Sequence, residues 1–410
     1  MQAYLLFIRQ HWPLLSFGFI SIFWGNFGQS FFISWYGASI QTSLGLSASV
    51  YGSLYSAATL GSGLAVMLLG GLIDRVPLQR FAASAGAGLM LACLLMTFSL
   101  TIPLLLLALF CLRLCGQGLL PHASHTTMAR YFDNHRGKAL SLAASGVPLG
   151  EILLPLIAVI LIGLIGWRGS WLILAASIPL IYLPASLYLL RKASQTTHRP
   201  PALEEPSSAT PPKGAGRRQV LSDYRFWLAL PAVLSAPFVV TGIFIQQGFV
   251  LNEKGWDPLW LASCFVVYGI THWCSSLLAG LLVDLFSACR LLPFMLLPLI
   301  AAVLALAGLD GLWVAPLFMA LLGITIGIAG PVTGALWAEV YGTAKLGSIR
   351  SLTSAMMIFS TAASPVLYGA FIDVGVSLAR LFIGTALGVG LASFLALFAY
   401  RQDRPKPLEP

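Results

Sequence analysis

Gly70-Gly-Leu-Ile-Asp74-Arg75-Val-Pro-Leu-Gln-Arg80 and Gly280-Leu-Leu-Val-Asp284-Leu-Phe-Ser-Ala-Cys-Arg290 are two copies of one stretch, a constant 210 positions apart. Gly70 falls on Gly280, Leu72 on Leu282, Asp74 on Asp284 and Arg80 on Arg290. The same offset sets Pro121 on Pro331, Tyr131 on Tyr341, Gly137 on Gly347, Ser141-Leu142 on Ser351-Leu352 and Pro155 on Pro365. Register held without a gap across four hydrophobic segments marks a duplicated chain. In a very hydrophobic protein, duplication points to two membrane bundles in pseudo-symmetric apposition, which lets one site face either side.

The composition places the chain in a membrane: 58% hydrophobic and 9% charged, with mean hydropathy +0.86. Soluble domains carry roughly a quarter charged residues. Runs long enough to span, on the order of 20 residues, fall at about 14–36, 48–73, 80–100, 103–129, 138–163 and 168–190. A second set falls at about 226–250, 258–286, 290–308, 312–338, 347–372 and 376–400. An unpaired backbone amide in lipid costs several kcal/mol, and the runs lack the alternation of barrel strands, so they are expected to be helices. The fold class is therefore all-α, twelve transmembrane helices in two six-helix bundles, 1–190 and 225–410. Between them, 191–224 is rich in Pro, Ser, Thr and Gly with basic residues at both ends, and reads as a flexible linker.

The net charge of +9 is topological. Of 23 Lys and Arg, about 19 fall on one side with the termini and the linker, and only Arg168, Lys254 and Arg380 fall opposite. The positive-inside tendency makes that side cytoplasmic and leaves no case for nucleic acid. The first apolar run is a full span without an obvious cleavage site, so it is expected to be retained. Cys93, Cys111, Cys115, Cys264, Cys274 and Cys289 lie in or at the ends of spans without paired spacing, which indicates neither a disulfide frame nor a metal site. No cofactor is expected. No nucleophile or metal constellation suggests an enzyme, and no Gly-x-x-x-x-Gly-Lys-Ser/Thr loop suggests a primary pump.

The 70–80 stretch resembles the loop between helices 2 and 3 of the major facilitator superfamily, with Gly280–Asp284 as its repeat. In that family such a motif acts as a latch between bundles. On this resemblance Gly70, Asp74, Arg75, Arg80, Gly280 and Asp284, with Arg130 and Arg136, form the latch. A glycine four residues before an aspartate permits close helix approach and leaves the carboxylate at a helix end. Arg130-Tyr-Phe-Asp-Asn-His-Arg136-Gly-Lys-Ala-Leu-Ser is similar to the start of helix 5 in monocarboxylate porters and oxalate/formate exchangers. Glu339-Val-Tyr-Gly-Thr-Ala-Lys345-Leu-Gly-Ser-Ile-Arg350 has the look of the matching turn before helix 11. Helix 8, where carboxylate carriers of this branch commonly place an arginine, reads Tyr268-Gly-Ile-Thr-His272-Trp-Cys-Ser-Ser276.

Charges within the bilayer are the remaining pointers, since each costs on the order of 2.5–3.5 kcal/mol on insertion scales and tends to mark a pathway. Arg113 and Glu151 are such charges, at equal depth on consecutive helices, roughly 15 Å from the same membrane face at 1.5 Å per residue. They are read as a coupled pair, Glu151 exchanging a proton and Arg113 answering to substrate. Arg113-Leu-Cys-Gly-Gln-Gly also resembles the helix 4 arginine motif of proton-coupled members of the superfamily. At 100° per residue, His122 falls on the face opposite Arg113 and His125 about 120° away. His272, near mid-membrane, titrates near neutral pH in its ordinary state. Helices 1 and 7 line the cavity in the superfamily, so Asn26, Gln29 and Tyr36 with Gln246 and Gln247 are candidates for a wall around a small polar ligand.

These features are read as a monomeric, multi-pass secondary transporter of a bacterial inner membrane, both termini cytoplasmic. Its expected partners are a small organic anion of monocarboxylate type, a proton and the lipid bilayer. Efflux of amphipathic compounds is the alternative within transport, and a non-transporting membrane sensor the alternative outside it.

Overall fold

The computed structural model describes residues 2–132, 135–196, 217–342 and 346–400. Linker residues 197–216, Lys345, the tail from 401 and the side chain of Arg136 lie outside this description.

Among the described residues the secondary structure is helical throughout, and twelve membrane helices can be followed in chain order. We number them α1 to α12. Helix α1 runs Gln2–Gly25, breaks at Asn26–Gly28 and resumes as Ser30–Leu44. Helices α2 (Ala48–Asp74), α3 (Leu78–Thr97) and α4 (Ile102–Tyr131) follow. Helices α5 (136–165) and α6 (167–196) run almost end to end and part at Gly166, whose φ of 74° only glycine adopts without strain. Helix α7 comprises Tyr224–Ile245 and Gln247–Lys254. Then come α8 (Pro258–Phe286), α9 (Leu297–Gly308), α10 (Val314–Tyr341), α11 (Leu346–Asp373) and α12 (Leu378–Ala399). Nine stretches are by themselves long and apolar enough to span, one of them holding both α5 and α6. The broken α1 and the short α9 complete the set.

Two compact units are formed. The first contains α1 to α6 together with Thr241–Val266 and Ala362–Val374. Phe17, Ile22, Phe81, Met128, Ala139, Ala143 and Leu189 pack at its core. In the second unit α9 packs against α10 and α12, burying Leu299, Val303, Phe318, Leu322, Phe382 and Val389. There the Tyr341 hydroxyl donates to Asp223 at 2.9 Å, and Trp337 lies on Phe226 with centroids 5.3 Å apart. Large apolar side chains point outward on both units, Leu68, Leu164, Leu285 and Leu387 each being more than 70% exposed. In water such a surface would drive association. Facing lipid tails it costs nothing, and helix pairing rests on close packing and polar bonds.

The duplication stops where the helices lose regularity. The 210-residue offset carries Asn26, in the break of α1, to Ala236 inside an unbroken helix, and carries Gln246, at the break of α7, to Tyr36. Arg113 is carried to Gly323. The polar features of the first half are thus not copied in the second.

Candidate functional site

The break in α1 exists because α4 meets it backbone to backbone. A Cβ on Gly116 would sit 2.7 Å from the Gly28 nitrogen, one on Gly25 would sit 2.8 Å from the Gly116 carbonyl, and one on Gly28 would run into the Leu112 carbonyl. No larger residue fits this crossing without displacing main chain. Opposite it, α4 widens into a π-helical stretch over Leu112–Leu119, a form rare elsewhere and frequent at functional sites. The π turn corrects the angular reading of α4. Offsets of 100° per residue do not hold across it, and His122 turns its Nε2 to the Gly70 carbonyl of α2 at 3.1 Å.

Arg113 lies in this π stretch and is buried. Its Nη1 donates to the Gly28 carbonyl at 3.2 Å, and its guanidinium stacks over the Tyr55 ring of α2 at 4.9 Å. A carbonyl freed by the helix break and the negative face of a ring both favour a cation, which lowers the cost of placing one here. Among the described residues Arg113 Nε and the Tyr51 hydroxyl have no hydrogen-bond partner, and Tyr51 and Tyr55, one turn apart on α2, are fully buried. A buried donor left unbonded costs about 1–3 kcal/mol, so two together mark a place arranged for something other than packing.

On the other side of the same turn, Asn26 donates its amide to the Gly146 carbonyl of α5 at 2.9 Å. Its Oδ1 is buried without a partner. Gly150 makes the room: a Cβ there would strike the Asn26 amide. Glu151, the next residue, is buried as well. Arg113 and Glu151 therefore belong to the two helices that flank one three-residue turn.

The remaining residues read from the sequence divide between structural roles and this neighbourhood. Gln29 is only partly buried, and its backbone restarts α1, the carbonyl accepting from Phe32 and Ile33. The Tyr36 hydroxyl is taken up by Ser170 of α6 at 2.8 Å, its ring against Trp171. Gln247 accepts from the Ser34 hydroxyl at 3.3 Å and keeps its own amide nitrogen unbonded. Gln246 donates to two carbonyls, Ala48 at 2.9 Å and Pro365 at 3.1 Å. His272 belongs to the second unit, beside Tyr268. There α10 comes in so closely that a Cβ on Gly327 would lie 2.6 Å from the His272 carbonyl.

At the other end of α2, Asp74 pairs with Arg130 of α4, while Arg75 and Arg80 are exposed. Gly70 is buried against the His122 ring. The second copy differs. Asp284 is exposed, and among the described residues a Cβ on Gly280 would meet nothing within 4 Å. Instead Glu339 of α10 accepts from the Ala288 nitrogen with both oxygens at 2.9 Å.

Sequence reading passed over Tyr51, Tyr55 and Gly28. A tyrosine in an apolar helix looks like packing, and only the unbonded hydroxyl distinguishes it. The Gly25-x-x-Gly28 spacing beside an asparagine was the one available signal for the crossing.

Comparison with known proteins completes the description. A 267-residue stretch is 27% identical to Monocarboxylate transporter 13 of Bos taurus, covering 62% of this chain and 58% of that protein, so the chain spans less than two thirds of that relative. In fold it is similar to a bacterial homolog of the human lysosomal transporter Spinster in its inward-facing, unoccupied conformation. The TM-score is 0.73 at 17% identity, with 96% of this chain and 99% of that one covered. The occupied, inward-facing form of that homolog gives 0.71 at 16% identity, with 97% and 98% covered. The family model of the Major Facilitator Superfamily matches residues 15–270, more than half of the sequence. With the broken first helix, the repeated 70–80 stretch and the twelve-helix architecture, this match establishes that the chain belongs to the Major Facilitator Superfamily.

Proposed function

We propose that this member of the superfamily is a secondary active transporter that moves a small organic anion, of monocarboxylate type, together with a proton across the bacterial inner membrane by alternating access. The observation that carries the reading is Arg113, a buried guanidinium held in place by Gly28 and Tyr55 with its Nε edge unbonded. A fixed planar donor in a low-dielectric setting suits a carboxylate, which takes two parallel N–H bonds from it. The proton is assigned to the Glu151 carboxyl, a reading supported by the Asn26–Gly28 turn that joins its helix to that of Arg113. The relative named for monocarboxylates supports the substrate class.

On this reading the halves 1–190 and 225–410 are the moving bodies and 191–224 their cytoplasmic tether. Gln247 and His272 serve the pathway, and the Asp74/Arg130 end of α2 serves as the latch. The protein works as a monomer, with lipid and substrate as its partners.

The test is proton movement on substrate addition. Purified protein in vesicles loaded with a pH-sensitive dye should show saturable lumenal acidification when a short monocarboxylate is added, above the rate in protein-free vesicles. Equal rates with and without protein, across a panel of monocarboxylates, would remove the anion and proton assignments.

A further inference from the structure

The start of α1 runs ahead of its apolar span and packs on the end of α4, the start of α5 and the end of α6. Four rings meet there. Between centroids Phe7 lies 5.2 Å from His11, 5.5 Å from Phe132 and 5.2 Å from His135, and His11 lies 5.1 Å from Phe132. The two phenyl rings are buried and continue the core formed by Leu189, Leu190 and Ala193 on α6, whereas His11 is half-buried and His135 exposed. Phe132 caps the end of α4 and His135 the start of α5. Two imidazoles thus approach one pair of phenyl rings from different elements.

Histidine is the side chain that in its ordinary state changes charge between pH 5 and 8. While both imidazoles are neutral, the box is an apolar contact with rings largely edge to face, an arrangement that aromatic groups prefer. A single imidazolium draws on the phenyl faces, but Phe7 serves both histidines, so a second charge finds that ring taken. Each imidazole being 5.2 Å from Phe7, the two lie within about 10 Å of one another, a range at which 0.1 M salt leaves much of the repulsion in force. The neighbours add to it. Arg9 on α1, Lys138 on α5 and Arg191 on α6 are exposed cations, and Lys192 of α6 stands over the Trp12 ring at 4.6 Å. Asp74 is the one carboxylate described beside these elements, and it is paired with Arg130 of α4. Tyr131 and Tyr188 are the remaining titratable side chains described there, while Asp133 and the side chain of Arg136 lie outside the described residues. The start of α5 is also a helix end that favours anions over cations. Burial, and then His135, hold the His11 pKa below 6.5, so the packed box prefers the neutral ring: the contact is complete above 6.5 and weakens as pH falls below it.

We propose that this box is an acid-released clasp: with neutral histidines it holds the start of α1 on the turn between α4 and α5, and protonation of both parts them, slowing the carrier when its cytoplasmic side turns acid. The same turn follows Arg130, which stands two residues before Phe132, so its release disturbs the pair with Asp74. A carrier that brings protons inward is then restrained by the acid it delivers. That purpose rests on the proton-coupled reading, whereas the clasp itself is tested without transport.

Gln10 and Ser141 are exposed, one beside His11 and the other one turn into α5. Spin labels at Gln10→Cys and Ser141→Cys, in full-length protein whose six native cysteines are replaced, report the separation by pulsed electron paramagnetic resonance in vesicles. One narrow distance is expected at pH 7.5, and a longer, broader population should become the majority at pH 5.5. His11→Phe with His135→Phe, which keeps four apolar rings and removes both protons, should hold the short distance at either pH. A distribution indifferent to pH in the parent, or a shift at pH 5.5 that the doubly substituted protein retains, overturns the clasp. His11→Arg with His135→Arg covers loss of packing: monodisperse protein should show the longer distance already at pH 7.5, and a short distance there also overturns it. For the regulation, exchange of labelled lactate is followed with equal pH on both sides of the membrane. It should fall about fivefold between pH 7.5 and 5.5 in the parent and less than about twofold with both phenylalanines, and equal falls would overturn the control of transport. A chain that exchanges no lactate at any pH would count against the carrier reading, with the clasp still decided by the distances.

Discussion

The guanidinium of Arg113 donates to the main-chain carbonyl of Gly28 at 3.2 Å, joining the π-helical stretch of α4 to the broken turn of α1. Both partners stand where the helix has given up its regular bonding. An intact α1 would have no carbonyl to offer, and a regular α4 would aim the arginine elsewhere. The bond therefore explains two irregularities together, and it leaves Arg113 Nε without a partner among the described residues.

Arg113→Lys keeps the charge but not the plane. An ammonium cannot stack on Tyr55 and bond Gly28 while leaving a second edge for a carboxylate. Initial uptake rates in vesicles should fall at least about tenfold, equivalent to ~1.4 kcal/mol of lost interaction, with the elution profile of the purified protein unchanged. A lysine variant of near-normal rate would show that charge alone is used.

The α1/α4 crossing makes a stability prediction. Gly116→Ala must move the Gly28 backbone, 2.7 Å from the new Cβ, and overpacking of this kind costs about 1–3 kcal/mol. Its thermal midpoint in detergent should fall clearly. Gly280→Ala, which meets nothing within 4 Å, should leave the midpoint where it was.

Asp74 and Arg130 form an ion pair at 58% and 34% side-chain exposure. At such exposure water screens the attraction, and pairs of this type contribute below about 1 kcal/mol. Asp74→Asn should hardly move the unfolding midpoint while slowing transport, if the pair serves the latch. Strong destabilisation with normal turnover would make it a structural bond instead.

His11 lies before the first apolar span, its ring against Phe7 and Phe132. Burial chiefly, and then the nearby His135, hold its pKa below the ordinary 6.5. The folded chain thus prefers the neutral ring. Above 6.5 both folded and unfolded states are neutral and the contribution is complete; as pH falls below 6.5 the unfolded state takes the proton first and stability is lost down to the folded pKa. His11→Gln should flatten the acid side of a plot of melting midpoint against pH. An unaltered acid limb would place the titration elsewhere.

The span pattern was legible because bilayer thickness writes itself into run length: the bounds of α2 and α8 match the expected segments to within about a residue or two, whereas α9 starts at Leu297 rather than at 290. The family was legible in Gly70–Arg80 because the stretch is repeated at Gly280–Arg290. Arg113 and Glu151 stood out as charges among apolar residues, and both are buried. The site around them was not legible. Neither the π stretch nor the break at Asn26 has a composition of its own, since both arise from glycines that meet only after α1 and α4 have crossed. Gln246 was read as a wall residue, yet its bonds to Ala48 and Pro365 depend on helices that meet only in the fold. Asp373 drew no reading from the sequence, since its partners, the nitrogens of Ala48 and Ser49, lie more than 300 residues earlier in the chain.

The most direct measurement is accumulation of a labelled monocarboxylate into vesicles of purified protein under an imposed, inwardly acidifying proton gradient, with the gradient collapsed in parallel and with Arg113→Ala alongside. Saturable accumulation that vanishes with the gradient and with the arginine is the expected result. Accumulation indifferent to both, or movement of lipophilic cations alone, would contradict the assignment of a proton-coupled anion carrier built around Arg113.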